Sequence, residues 1–179
     1  MPKRYKRTLP VRKPLSDEYS EKFLETWVMH EWPEVETDNY TNTHWTEEMS
    51  IILDKTAEKL QLKRKRTELR RMDFNWYDEK SDTPILTVEH ENGYKGIWKE
   101  EIPKLLLSKA SLKVLICYPP EEKCRSIVYR LLNLLKKEFQ YGKFREEFLL
   151  MLGKPRAKIN NPKEFRFYRY APSLSVEEI

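Results

Sequence analysis

Met72 to Asn92, MDFNWYDEKSDTPILTVEHEN, reads as two strands joined by a polar turn. The first arm alternates with period two, setting Met72, Phe74 and Trp76 on one face and Asp73, Asn75 and Tyr77 on the other. The turn runs Asp78-Glu79-Lys80-Ser81-Asp82-Thr83, and Pro84 suits the first position of a returning strand. The second arm, Ile85 to Glu91, puts Leu86, Val88 and His90 on one face and Thr87, Glu89 and Glu91 on the other. A hairpin centred on Ser81 sets Asp73 opposite Glu89, with Glu91 one pleat along on the same face.

Three carboxylates converging on one patch of sheet repel one another and push at least one pKa upward. A divalent cation relieves that repulsion, and hard oxygen ligands suit Mg²⁺, Mn²⁺ or Ca²⁺. The alternative is an acidic, solvated face of an ordinary ribbon. The run Ile85-Leu86-Thr87-Val88 before Glu89 and Glu91 has the character of a buried strand, which favours a site. His90 alternates to the opposite face and reads as structural.

The rest of the chain supports a folded domain. Its 179 residues are enough for one substantial core. Charged residues make up 35% and mean hydropathy is -0.80, yet aromatics reach 12%, which argues against disorder. The formal net charge of +5 fits a polyanionic partner. Cys117 and Cys124 give no disulfide framework, and no apolar run has membrane-spanning length, so the expectation is a soluble, cytoplasmic protein. With four glycines there is neither a GxGxxG nor a GxxxxGK[ST] loop for nucleotides. The three histidines and two cysteines lack zinc spacing, and no GxSxG elbow is present.

Upstream of the hairpin, Met1 to Pro14 is a basic, proline-containing arm, readable as a phosphate-tracking tail or as a plain solvated terminus. A short helix from about Glu18 to Glu31 follows, so residues 1–43 form an expected N-terminal appendage of arm and helix, and 44–179 the α/β core. A stronger helix spans roughly Thr46 to Leu60, with Met49, Ile52, Leu53, Thr56 and Leu60 in one stripe and Glu48 at its edge. Lys63, Arg64, Lys65, Arg66, Arg70 and Arg71 then lead towards the hairpin in a segment holding a first strand. Cations for a phosphodiester backbone beside acids for a metal suit a nucleic-acid substrate.

Downstream, the pattern predicts a helix over Ile97 to Leu107, interrupted or restarted at Pro103. A buried strand follows over Leu112 to Tyr118, then a long helix over Glu121 to Phe139, and strands over Phe144 to Leu152 and Glu164 to Tyr170. This order predicts an α/β fold with a mixed central sheet flanked by helices.

The sequence of a helix bearing Glu48, a strand, a hairpin with Asp73 and then Glu89-His90-Glu91, a helix, a buried strand and a helix resembles the PD-(D/E)XK nuclease superfamily. The resemblance covers roughly Thr46 to Phe139. It implies a restriction-endonuclease-like fold, with Asp73 and Glu89 as acids binding Mg²⁺ or Mn²⁺ and Glu48 as the helix acid. Glu91 stands where the family usually has Lys, and Lys95 or Lys99 on the following turn would supply the missing cation. The implied activity is metal-assisted hydrolysis of phosphodiester bonds, in DNA before RNA, with Glu91 orienting or deprotonating the attacking water. The basic strip Lys63 to Arg71 would hold the nucleic acid, and a symmetric homodimer is one way to cut both strands. A second reading keeps the fold without catalysis, as a nucleic-acid-binding or assembly module.

Overall fold

In the computed structural model, the structure describes residues 15–29, 42–64, 73–79, 83–140, 146–154, 165–170 and 176–178. The deciding hairpin forms from β2 (Phe74–Tyr77) and β3 (Pro84–Glu91), paired antiparallel. Phe74 faces Val88, Asn75 faces Thr87 and Trp76 faces Leu86, which is the register of a turn centred on Ser81. The register slips at Trp76/Tyr77, where Tyr77 meets Pro84. A proline offers no N–H to the ladder, so a bulge at its position leaves no donor wasted.

Around this pair the chain builds one seven-stranded sheet in sequence order. β1 (Lys63–Arg64) lies outside β2, and β4 (Leu112–Cys117), β5 (Glu147–Leu152), β6 (Arg166–Tyr170) and β7 (Val176–Glu178) follow β3. β3, β4 and β5 run parallel, and the remaining neighbours pair antiparallel. β7 lies beyond the last strand expected from the sequence. β1 takes in Lys63 and Arg64 of the basic run that suggested it, and 65–72 lies outside the described residues.

The parallel steps need crossovers, which α3 (Glu101–Leu107) and α4 (Glu121–Gln140) supply. Both crossovers advance the sheet in the same direction, so one handedness puts both helices on one face. There Ile97, Ile102, Leu105, Leu131 and Leu135 pack on Leu115, Phe148 and Leu150. The other face is covered by α1 (Leu15–Met29) and α2 (Asn42–Lys59). Met49, Ile52 and Leu53 of α2 and Phe23 and Trp27 of α1 share a core with Trp76, Val88 and Val114. The α1 helix, grouped with the basic arm in the division at residue 43, therefore packs into the same core as α2. Phe23 and Trp27 bury completely, with Tyr19 half-buried beside them, and that apolar area fixes the helix against the sheet.

The crossover helix between β3 and β4 is shorter than its apolar pattern suggests. Pro103 has no N–H and would crowd the carbonyl four residues back, so it belongs in a first turn. The helix accordingly begins at Glu101, and Ile97 to Glu100 close as turns in which Lys99 N and Glu100 N donate to Gly96 O at 2.9 and 3.1 Å. That late start puts Glu101 in the first turn and Lys104 next along the same side, above β3.

Candidate active site

Strand alternation assigns the polar residues of the hairpin to the α3 side. Asn75 and Thr87 pair across β2 and β3, and Glu89 follows two residues on. The Thr87 hydroxyl donates to Asn75 Oδ1 at 2.9 Å and lies 3.2 Å from Ser108 Oγ, which accepts the Ala110 N–H at 3.1 Å. This buried polar row is a floor for the charged row above it, formed by Asp73, Glu89, Glu101 and Lys104.

Glu89 is the centre of that charged row. It is 1% exposed, and its Oε1 has no hydrogen-bond partner. Its Oε2 lies 3.6 Å from Lys104 Nζ, which also holds Glu101 Oε2 at 2.8 Å. Burial, a hydrogen bond to Glu101 and the Asp73 charge push the Glu89 pKa up to about 10. Burial also acts to raise Glu101, but hydrogen bonds from Glu89 and Lys104 outweigh it and hold Glu101 below the usual carboxylate range. The buried pair thus keeps one proton near neutral pH, carried by Glu89. Desolvation opposes the charge of Lys104, and the carboxylates around it prevail, so its pKa is raised and it stays a cation.

Asp73 joins from the start of the hairpin. Its Oδ2 accepts the His90 backbone N–H at 2.9 Å, which fixes the carboxyl at the end of β3. The residue as a whole is exposed, yet its carboxyl is hemmed in by protein. That loss of water raises its pKa, against the His90 N–H and Lys104 and with Glu101.

The other expected site residues lie elsewhere. Glu91 shares the face of Glu89 but turns into the loop of residues 92–100, where its Oε1 accepts the Gly93 N–H at 3.1 Å. The Gly93 carbonyl in turn accepts the Tyr118 N–H at 3.0 Å. Glu91 therefore ties this loop to the sheet. Glu48, half-buried, belongs to α2 on the opposite face, and the charges that act on Glu89 are Asp73, Glu101 and Lys104. Lys95 and Lys99 are exposed on the loop, and Lys104 stands beside Glu89 in their place. Lys63 forms an ion pair with Glu79. The Arg64 side chain and Lys65, Arg66, Arg70 and Arg71 lie outside the described residues. His90, on the far face as expected, has its Nε2 2.8 Å from Tyr118 Oη.

Sequence reasoning placed Glu101 and Lys104 on an amphipathic helix and gave them no site role. The available signal was Pro103, which forces the helix to begin beside Glu101 and so aims an acid and a lysine at β3.

As they stand, no three His, Cys, Asp or Glu side chains among the described residues are gathered to hold a metal ion. A hard cation such as Mg²⁺ keeps several waters and is commonly held by one or two carboxylates. Asp73, just before β2, and Glu89 on β3, whose Oε1 is unpartnered, fit that requirement. No helix among the described residues is long and apolar enough to cross a membrane. No family model matches the chain, and neither a curated protein nor a solved structure matches it.

Proposed function

We propose that this chain is a metal-dependent nuclease of restriction-endonuclease-like architecture that hydrolyses phosphodiester bonds, in DNA before RNA. The observation that carries the reading is Glu89: a fully buried carboxyl with an unpartnered Oε1, beside Asp73 across the hairpin and 3.6 Å from Lys104. A structural protein has little reason to bury an acid against two others, because each adds desolvation and repulsion. Strongly perturbed acids clustered with a cation are the electrostatic signature of a working site.

Asp73 and Glu89 would hold Mg²⁺ or Mn²⁺. Bound there, the ion lowers the pKa of a coordinated water and offsets charge on the phosphate. Lys104 has its Nζ on the same side of β3 and is held as a cation by its acidic neighbours, so it serves to neutralise charge developing on the phosphoryl oxygens. It takes the role that Lys95 or Lys99 would otherwise fill. Glu101 takes the proton bond of Glu89 and the ion pair of Lys104, and so orients both. Glu91 holds the loop in place through Gly93.

The test is incubation of the purified protein with plasmid and single-stranded DNA plus Mg²⁺ or Mn²⁺, beside Asp73→Ala, Glu89→Ala and Lys104→Met. Cleavage by the wild type, loss to background in the two acid variants and a fall of about 10²-fold or more in Lys104→Met are expected. Absence of cleavage together with no Mg²⁺ or Mn²⁺ binding by calorimetry would sink the enzyme. The second reading, a nuclease fold without catalysis, is favoured by Glu91 at the usual lysine position. It would show nucleic-acid binding that survives EDTA and the loss of Asp73.

A further inference from the structure

The loop of residues 92–100 leaves the end of β3, two residues past Glu89, and returns to the acid row at Glu101. It carries Trp98, half-buried against the α3/α4 core, and the exposed Lys95 and Lys99. On α4 the exposed Arg130 lays its guanidinium over the Trp98 ring, 4.1 Å from the ring centroid. Lys123, seven residues before Arg130, lies on the same flank of the helix, whereas Arg125 and Tyr129, 5.6 Å apart from guanidinium carbon to ring centroid, stand on the opposite flank. Glu121 at its start is drawn to Arg166 at 2.7 Å, and Glu100 and Glu122 are the exposed acids that temper the strip.

We infer that this strip, Lys95, Lys99, Lys123 and the Arg130–Trp98 pair, is the seat of a single strand of nucleic acid running towards Glu89. One feature selects a strand over a duplex. The cations suit a phosphate backbone, which either form would offer. A guanidinium flat on an aromatic ring, however, presents a second flat surface, and bases stack on such planes only when they are unpaired. The ring also fixes the arginine, so little side-chain freedom is lost when a base arrives. The inference rests on the nuclease reading for the direction of the strand, though not for its binding.

The experiment is fluorescence anisotropy of the full chain in EDTA, with a labelled oligothymidylate of about 20 nucleotides and a duplex of equal length, a span that covers one strand-binding groove. The single strand binds more tightly than the duplex. Arg130→Ala weakens it about tenfold, in line with the loss of one stacked base, and lowers the slope of log affinity against log salt by about 0.7. Arg130→Lys restores the slope but not the affinity, because charge returns and the plane does not. Thermal melts confirm that each variant is folded. Wild-type affinity in the Lys123→Ala/Arg130→Ala double variant, or a preference for duplex, overturns the inference. Binding that follows this pattern without cleavage in Mg²⁺ or Mn²⁺ would support the strip and remove the nuclease; cleavage of single strands undiminished in the double variant would do the reverse.

Discussion

The two faces of the hairpin are built from alternate residues of the same strands, and they differ in almost everything else. One side offers Phe74, Trp76, Leu86 and Val88 to α1 and α2, and every one of them is buried among apolar side chains. The other offers Asp73, Asn75, Thr87 and Glu89 to α3, where the burial is similar for the last three but the contacts are hydrogen bonds and charges. Stability rests on the first face, where apolar area is removed from water without an electrostatic penalty. The second holds desolvated charge that contributes little to folding and is poised for chemistry. Loss of Trp76 is the most direct way to break the first face. The residue is 1% exposed and stacks on Phe74 at a centroid separation of 5.7 Å. Trp76→Ala is expected to cost about 3–5 kcal/mol in urea unfolding, with any cleavage by the folded fraction retained. An equal loss of cleavage in the folded fraction would mean that the faces are not separable.

Lys104→Met strikes the charged face instead. It leaves Glu101 without its 2.8 Å partner and Glu89 without a neighbouring cation. The lysine is partly exposed, so solvent softens the loss, and a drop of about 1–3 kcal/mol is expected. The acids then hold their protons more strongly, and cleavage falls far more than stability. If stability falls as far as in Trp76→Ala, the row is a structural clasp.

Much of this contrast was legible in the sequence. Period-two alternation fixed the faces, and the turn centred on Ser81 fixed the register that sets Phe74 against Val88 and brings Asp73 to Glu89. Local patterns carry that information because strand side chains alternate wherever no bulge intervenes. The composition of the charged row was less legible. Glu101 and Lys104 come from a helix whose direction depends on where Pro103 lets it start and on how the crossover closes, both of them tertiary matters. Glu91 failed to join for a related reason: a nearby backbone N–H at Gly93 offered its carboxylate a bond without the repulsion of Glu89. Alternation gives the face of a side chain, not its partner. Likewise α1 was grouped with the basic arm that precedes it, while Phe23 and Trp27 pack into the core.

Smaller changes sharpen the boundary between the faces. Thr87→Val keeps the shape of the side chain but removes the donor to Asn75 Oδ1 and the contact with Ser108 Oγ. With buried acceptors left unpaired, a loss of about 1–2 kcal/mol is expected, against near neutrality if the polar row were dispensable. The comparable strand-centre change on the opposite face, Val88→Ala, removes methyl groups rather than a hydrogen bond and gives a reference for the apolar side.

The smallest effect at neutral pH is also the most specific to Glu89. A carboxyl whose pKa rises from 4.5 in the unfolded chain to about 10 when folded binds its proton more tightly in the native state. Stability is therefore full below about pH 4.5 and is lost progressively as the pH climbs towards 10, the reverse of an ion-paired carboxylate. Glu89→Gln stays neutral at every pH and keeps a donor for Glu101, so near pH 6 it should match the wild type to within about 1 kcal/mol. Above pH 8 it should become the more stable of the two, because only the wild type must then ionise a buried group or give up its fold. Urea unfolding of both proteins from pH 5 to pH 9.5 measures the crossing. Parallel curves would mean that Glu89 is already ionised at neutral pH, with Lys104 rather than a shared proton balancing it, and the charged face would then be an ion-pair network like many others. Diverging curves, with the variant above, would establish that this side of the hairpin stores an acid that folding alone does not want.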